Sequence, residues 1–211
     1  MQQKHFPRIQ YISLQYKEES FFDDLHSVID AGVEWIQIRV KDIKYEKWLD
    51  VAKKSVALCK ENKIVSIIND NPAIAFESGA DGVHLGKNDM SPTEARKILG
   101  HDKIIGGTAN TFDDIKNLAQ QGVDYIGLGP FRFTLTKKNL SPILGLEGYH
   151  SILEQCRNER ITIPIVAIGG ILLEDVKEIS ATGVYGFAFS GLISTTVDKK
   201  SLMLDLKKTI G

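Results

Sequence analysis

The feature that most constrains the fold of this chain is a regular alternation of short apolar runs with stretches of helical period. Eight runs have the length and composition of buried strands, and the segments between them repeat apolar residues at helical spacing. The predicted strands cover residues 9–14, 35–39, 64–68, 82–85, 104–107, 125–129, 165–168 and 186–190. Strands that alternate with helices favour a parallel sheet covered by helices.

The predicted helices carry start and stop signals of their own. Asn71-Pro72 and Ser91-Pro92 each place a capping residue before a first-turn proline, and Thr111 with Asp114 forms a capping box. Glycine follows four helices at positions that favour a left-handed backbone: Gly32, Gly79, Gly122 and Gly183. We therefore expect an α/β chain that forms a single (βα)8 TIM barrel over residues 1–211. An open doubly wound sheet is the alternative, and no G-x-G-x-x-G turn supports it.

Composition excludes several classes of protein. The chain has 211 residues with 26 Lys+Arg and 27 Asp+Glu, so its net charge of −1 argues against nucleic-acid or anionic-membrane binding. Its N-terminus lacks the apolar core of a secretion signal, and its longest apolar stretch, residues 163–173, is shorter than a membrane span. Cys59 and Cys156 are isolated, as expected of reduced packing residues. We expect a cytoplasmic protein, which could form a homo-oligomer.

The carboxyl ends of barrel strands carry the chemistry of this fold, and here they carry polar residues. Gln37, Arg39 and Lys41 alternate along the second strand, so their side chains share one face. Two cations on a barrel strand need an anion, which predicts a ligand site. Asp70 and Asp89 are freed from capping because Asn71 and Ser91 occupy the cap positions, and we expect the two carboxylates to share Mg2+.

The last strands predict a second anion site. Residues 129–145 are too long for an ordinary connection and suggest an active-site lid, to which Thr134, Thr136 and Lys137 supply hydroxyls and a charge. Gly169-Gly170 and the small residues Ser190-Gly191 are typical of a phosphate cradle. His84, inside a strand, is interpreted as a hydrogen-bonded core histidine. A metal with several cations suits a leaving diphosphate, so these residues predict a transferase that joins two phosphorylated small molecules.

An ordered series of motifs resembles the thiamine-phosphate synthase family from about residue 10 to residue 195. The series runs Gln37-Ile38-Arg39-Val40-Lys41, Ile68-Asn69-Asp70, Asp81-Gly82-Val83-His84-Leu85-Gly86 with Asp89, Gly127-Leu128-Gly129-Pro130, Thr134-Leu135-Thr136-Lys137, Leu144-Gly145-Leu146-Glu147-Gly148 and Ala167-Ile168-Gly169-Gly170-Ile171. The resemblance implies a barrel that condenses 4-amino-5-hydroxymethyl-2-methylpyrimidine diphosphate with a thiazole phosphate, carboxylated or not. It also implies that Mg2+ is needed, and that thiamine phosphate and diphosphate are the products.

The resemblance implies a role for each matching position. The residues that would contact the pyrimidine diphosphate are Gln37, Ile38, Arg39, Val40, Lys41, Asn69, Thr108 and Lys137. Those that would hold the thiazole phosphate are Thr134, Leu135, Thr136, Gly170, Ser190 and Gly191. Asp70 and Asp89 would hold Mg2+, and Lys137, Arg39 and Lys41 would act in catalysis.

The chain departs from the family pattern at several of these positions. Val40 replaces a glutamate, Thr108 a serine, Asn110 a histidine and Leu135 a proline, while Gly191 stands where a serine is usual. Thr108 keeps the hydroxyl donor, and Leu135 implies a looser lid. The changes at Val40, Asn110 and Gly191 concern rate or substrate tolerance more than reaction class. Two alternatives stay open: a thiazole tautomerase on the same fold, and a non-catalytic binder of intermediates of this pathway. The tautomerase lacks the Asn-Asp pair and the Thr-x-Thr-Lys run found here.

Overall fold

The computed structural model describes residues 6–14, 17, 20–133 and 142–211. Within these residues eight parallel strands pair in chain order and close on themselves, β1 with β2 and finally β8 with β1. The strands are β1 Ile9–Ile12, β2 Trp35–Ile38, β3 Val65–Asn69, β4 Gly82–Leu85, β5 Ile104–Ala109, β6 Tyr125–Leu128, β7 Ile165–Ile168 and β8 Gly186–Phe189. The prediction of a (βα)8 barrel is confirmed, and the open sheet is excluded by the β1–β8 pairing.

Helices follow the strands on the outside of the barrel. Their bounds are α1 Phe21–Asp30, α2 Tyr45–Glu61, α3 Pro72–Ser78, α4 Pro92–Leu99, α5 Phe112–Gln120, α6 Gly145–Asn158, α7 Val176–Ala181, α8 Gly191–Thr195 and α9 Lys199–Ile210, with a 3-10 turn at Leu173–Asp175. Among the described residues, no helix combines the length and apolar character needed to cross a membrane.

The predicted helix signals form as expected. The side chains of Asn71 and Ser91 accept hydrogen bonds from the first turns of α3 and α4, and Thr111 with Asp114 closes a capping box on α5. The backbone is left-handed at each of the four predicted stop positions, Gly32, Gly79, Gly122 and Gly183. These caps set where each helix leaves its strand, and so where the loops of the barrel begin.

The barrel interior is apolar at its amino end and polar above. Phe6 stacks on Trp35 with ring centroids 5.5 Å apart, and Trp35 meets Tyr125 edge-on at 4.9 Å. These rings belong to a separate buried cluster inside the sheet, whereas the larger core lies between the sheet and its helices. The aromatic layer closes the bottom of the barrel. Function is therefore confined to the opposite end, where the strands run out.

Candidate active site

A cavity of about 270 Å³ opens at the carboxyl ends of the strands, and we call it the mouth cavity. Seven of the eight strands, or the residues directly after them, contribute polar or backbone groups to its wall. The predicted site residues that line it are Gln37, Arg39, Lys41, Asn69, Asp70, Thr108, Gly170, Ser190 and Gly191. Residues from five different strand ends, far apart in sequence, are therefore brought to one place.

The second strand presents its alternate side chains to this cavity, as the period of a strand requires. Gln37, Arg39 and Lys41 line the cavity, whereas Ile38 and Val40 are buried in the core between sheet and helices. Any contact of Ile38 or Val40 with a substrate would therefore come from the backbone.

Arg39 and Lys41 supply the positive charge of the mouth cavity. Among the described residues the Arg39 guanidinium has no carboxylate partner. The Lys41 ammonium lies 3.0 Å from a carboxylate oxygen of Asp70, with both side chains partly exposed. An exposed pair of this kind contributes little stability, so Lys41 can exchange its partner for an anionic ligand at small cost.

Asp70 and Asp89 lie close enough for their carboxyl groups to interact. Burial and the neighbouring Asp70 charge raise the pKa of Asp89, although the Gly86 N–H, which donates to its Oδ2 at 2.7 Å, opposes this. Asp70 lines the mouth cavity, while Asp89 lines a shallower side cavity next to it. Asp70 also holds a left-handed backbone at φ +67°, an unusual conformation for a side chain other than glycine.

Two adjacent carboxylates that repel each other favour a cation between them. No group of three or more His, Cys, Asp or Glu suited to a metal occurs among the described residues. A pair of carboxylates is nevertheless the donor set that Mg2+ uses when substrate phosphate and water complete its shell. The residues present therefore fit Mg2+ bound together with a phosphorylated substrate.

The turn after β7 lies across the closed barrel from the end of β3, and the turn after β8 lies beside it. Gly169 and Gly170 both have positive φ, and a Cβ added at Gly169 would lie 2.8 Å from Pro130. Glycine is therefore required by backbone conformation and by space. The hydroxyl of Ser190 is buried without a hydrogen-bond partner among the described residues, as expected of a donor reserved for a ligand.

Arg132 holds the Gly169-Gly170 turn in place, a role that the sequence did not reveal. Its guanidinium donates to the Gly170 carbonyl at 2.8 Å and forms a two-pronged pair with Asp175 at 2.8 and 2.9 Å. Its backbone N–H donates to Gly169 O at 2.9 Å. A basic residue in the loop after β6, with an acid just before α7, is the sequence signal for this clamp.

Thr134, Leu135, Thr136 and Lys137 lie outside the described residues, so their predicted roles stay predictions. The residues on either side are placed: Phe133 follows the Arg132 clamp, and the chain returns where Leu144 N donates to Pro130 O at 2.9 Å. The described residues that flank this segment thus lie beside the mouth cavity.

Asn110, which stands where the family pattern has histidine, is buried at the end of β5. Its side-chain amide donates to the carbonyl of Gly129 at the end of β6. The residue therefore joins two neighbouring strand ends. This contact gives Asn110 a structural role in this chain.

Comparison with known proteins gives one consistent result. Residues 11–193 match the family model described as thiamine monophosphate synthase. A thiamine-phosphate synthase of Flavobacterium johnsoniae is 46% identical over 205 residues, 97% of each chain, and one of Bacteroides fragilis is 48% identical over 190 residues, 90% of this chain and 93% of that one. A solved structure of thiamine phosphate pyrophosphorylase from Pyrococcus furiosus superposes with a TM-score of 0.81 at 26% identity, covering 96% of this chain and 95% of the other.

Proposed function

The chain belongs to the thiamine monophosphate synthase family, and we propose that its mouth cavity is where the two substrates of that reaction are joined. The protein is a transferase of thiamine biosynthesis. It condenses the pyrimidine diphosphate with the thiazole phosphate and releases thiamine phosphate and diphosphate. The observation that carries the assignment of the site is the convergence of Arg39, Lys41 and Asp70 on a cavity whose far wall is the Gly169-Gly170 turn.

The pyrimidine diphosphate would occupy the side of the cavity formed by β2 to β5. Arg39 and Lys41 supply two positive charges, and the Asn69 amide and Thr108 hydroxyl supply neutral hydrogen-bonding groups. Lys137 would add a third cation from the segment that begins beside Arg132. Gln37, only 3% exposed, lies deeper and would meet the uncharged pyrimidine ring.

Asp70 and Asp89 would hold Mg2+ between the protein and the diphosphate. Mg2+, when bound, neutralises part of the charge that grows on the leaving diphosphate. Lys41, which pairs with Asp70 at 3.0 Å, would contact the diphosphate from the same side of the cavity. The fit is supported by the proximity of the two carboxylates; burial first, and then the charge of Asp70, raise the pKa of Asp89.

The thiazole phosphate would bind at the wall opposite. Gly170 and Gly191 leave the backbone accessible, and the buried Ser190 hydroxyl offers a donor with no protein partner among the described residues. Thr134, Leu135 and Thr136 would complete this half of the site. Two phosphate groups bound at opposite walls leave the reacting ends of both substrates facing each other.

The reaction exchanges one bond for another. The bond between the pyrimidine methylene carbon and the diphosphate oxygen breaks, and the oxygen keeps the electron pair. The thiazole nitrogen donates its lone pair to the same carbon. Arg39, Lys41 and Lys137 stabilise the charge on the departing oxygens, while fixing both substrates can lower the barrier by roughly 7–11 kcal/mol through lost encounter entropy.

An assay of the purified protein with the pyrimidine diphosphate, the thiazole phosphate and Mg2+ tests the proposal against both alternatives. We expect thiamine phosphate to form only when both substrates are present. Binding of both without turnover would favour the non-catalytic binder. Conversion of the carboxylated thiazole phosphate into its tautomer, with no pyrimidine present, would favour the isomerase.

A further inference from the structure

A chain of buried polar side chains lies directly beneath the mouth cavity. His84 Nδ1 lies 2.9 Å from the Tyr125 hydroxyl, and His84 Nε2 lies 2.9 Å from the Thr108 hydroxyl. On the other side, Gln10 Nε2 donates to the Tyr125 oxygen at 3.3 Å, and Gln37 Nε2 donates to Gln10 Oε1 at 3.4 Å. This network thus joins two predicted substrate-binding residues, Gln37 and Thr108, through Gln10, Tyr125 and His84, none of which was predicted to bind substrate.

The strands leave room for the two rings at the centre of this chain. A Cβ at Gly106 would lie 2.2 Å from Tyr125 Cζ and 2.6 Å from His84 Nδ1, and one at Gly127 would lie 3.2 Å from His84 Cε1. Glycine in a strand interior weakens the strand, so its presence at both positions indicates a close approach that needs the space. The His84–Tyr125 pair is therefore a specific feature of the barrel.

Two proton arrangements satisfy the contacts of His84, and the tautomer of its ring decides between them. Burial raises the pKa of the Tyr125 phenol, so the hydroxyl keeps its proton at neutral pH. In one of the two arrangements, that oxygen accepts from Gln10 and donates its proton to His84 Nδ1. A neutral imidazole that accepts at Nδ1 carries its proton on Nε2 and donates it to Thr108. The Thr108 oxygen is then an acceptor toward the core, and its own proton is free to point outward.

We propose that His84 and Tyr125 are positioning residues that hold the Thr108 hydroxyl as a hydrogen-bond donor toward an acceptor atom of the pyrimidine diphosphate. The inference deepens the proposed function and rests on it for the identity of that substrate. The arrangement of protons is a property of the free protein. It can be measured without substrate or turnover.

The first test is the tautomer of His84, read from 15N-labelled histidine by NMR in the ligand-free protein. We expect a pyrrole-type resonance for Nε2 and a pyridine-type resonance for Nδ1. Tyr125→Phe removes one hydroxyl and should shift the Nδ1 resonance. Tyr149→Phe is the matched control, because Tyr149 is also fully buried. Its hydroxyl hydrogen-bonds to the backbone of Leu128 and Ile168, which are not part of the hydrogen-bond network around His84. An Nδ1–H tautomer in the wild type would overturn the inference.

The second test is a double-mutant cycle on kcat/KM for the pyrimidine diphosphate. Thr108→Val should lower kcat/KM by roughly 10-fold, the effect of one lost hydrogen bond, while Thr108→Ser should stay within about threefold of wild type. Tyr125→Phe alone should cost roughly three- to tenfold. If Tyr125 acts through Thr108, the double variant should match Thr108→Val within about twofold.

Multiplying effects in the double variant would mean that Tyr125 acts independently of Thr108, and would overturn the inference. The proposed function and the positioning role of His84 and Tyr125 can be contradicted independently of each other. A wild-type protein that makes no thiamine phosphate contradicts the proposed function, whereas the His84 tautomer still decides how Thr108 is held. Wild-type turnover with the Nδ1–H tautomer leaves the proposed function standing and removes the positioning pair.

Discussion

At the scale of single residues, substitution of Asp70 can distinguish a role in metal binding from a role in the stability of the fold. Asp70 has two partners in the structure, the Lys41 ammonium and the neighbouring Asp89 carboxyl. Neither contact is buried deeply enough to support the fold. We therefore expect Asp70 to contribute to ligand binding more than to the stability of the fold.

Asp70→Asn should raise the Mg2+ concentration that gives half-maximal turnover by about tenfold or more, because one of two anionic ligands becomes neutral. The midpoint of thermal unfolding should change little, since an exposed ion pair is worth about 0–1 kcal/mol. Asp50→Asn, which breaks the exposed Lys54 pair away from the mouth cavity, is the control. An unaltered Mg2+ requirement in Asp70→Asn would remove this residue from the metal site.

Lys137 is predicted to stabilise the leaving diphosphate, whereas no such role is predicted for its neighbour Lys138. Lys137→Ala should lower kcat by roughly 10²–10³, the cost of removing one charge-stabilising donor. Lys138→Ala should leave kcat near the wild-type value. Steady-state kinetics of the two variants distinguish a specific contact from a general loss of positive charge. Equal rates in both variants would argue against the role of Lys137.

Residue roles could be predicted from the sequence where they follow from strand alternation. Gln37, Arg39 and Lys41 were expected on one face, and all three line the mouth cavity. The contacts of His84 with Tyr125 and Thr108 could not be predicted in detail, because they cross the barrel interior between different strands. Tyr125 is 41 residues from His84 in the sequence, and Thr108 is 24 residues from it. Gly106 and Gly127 were the available signal, since glycine inside a strand marks close approach.

At the scale of elements, α5 shows how a helix cap supports the wall of the cavity. Asp114 Oδ2 accepts hydrogen bonds from the N–H groups of Asn110 and Thr111 at 2.9 Å and pairs with Lys87 at 2.6 Å. Burial alone would raise the pKa of Asp114, but Lys87 and these N–H groups outweigh it and lower the pKa. The carboxylate joins the start of α5 to the ends of β4 and β5.

Asp114→Asn should lower the free energy of unfolding by about 1 kcal/mol at neutral pH, the usual value of a helix cap. A folded-state pKa below the unfolded value of about 3.9 means that the ionised group stabilises the fold above that pH. This stability is lost as pH falls through the folded pKa. Urea unfolding from pH 7 to pH 3 should therefore show the difference between wild type and variant shrinking with acid. Asp113→Asn is the control, and a difference independent of pH would contradict the explanation.

The boundaries of strands and helices were predictable for two reasons. Apolar residues repeat at different spacings in strands and in helices, and capping residues mark where each helix begins or ends. The strand bounds differ from expectation by two residues at most: β1 ends at Ile12 instead of residue 14, and β5 continues to Ala109 instead of ending at residue 107. The extension of β5 follows from its pairing with β6, where Ala109 meets Leu128. Such register contacts are long-range, and no local pattern encodes them.

At the scale of the whole molecule, closure of the barrel brings motifs that are far apart in the sequence together around the mouth cavity. The carboxyl ends of β2, β3, β5, β7 and β8 meet around one cavity only because β8 pairs with β1. The aromatic layer of Phe6, Trp35 and Tyr125 closes the other end. With one end closed, the described residues leave the mouth cavity at the open end as the proposed site for the two phosphorylated substrates.

The most direct test of this account is the stoichiometry of the reaction, followed by 31P NMR with both substrates and Mg2+. We expect inorganic diphosphate and thiamine phosphate to appear together in a one-to-one ratio, and neither to accumulate when the thiazole phosphate is omitted. Diphosphate released at an undiminished rate without the thiazole phosphate would show hydrolysis instead of coupling. That result would contradict the claim that the mouth cavity joins two substrates.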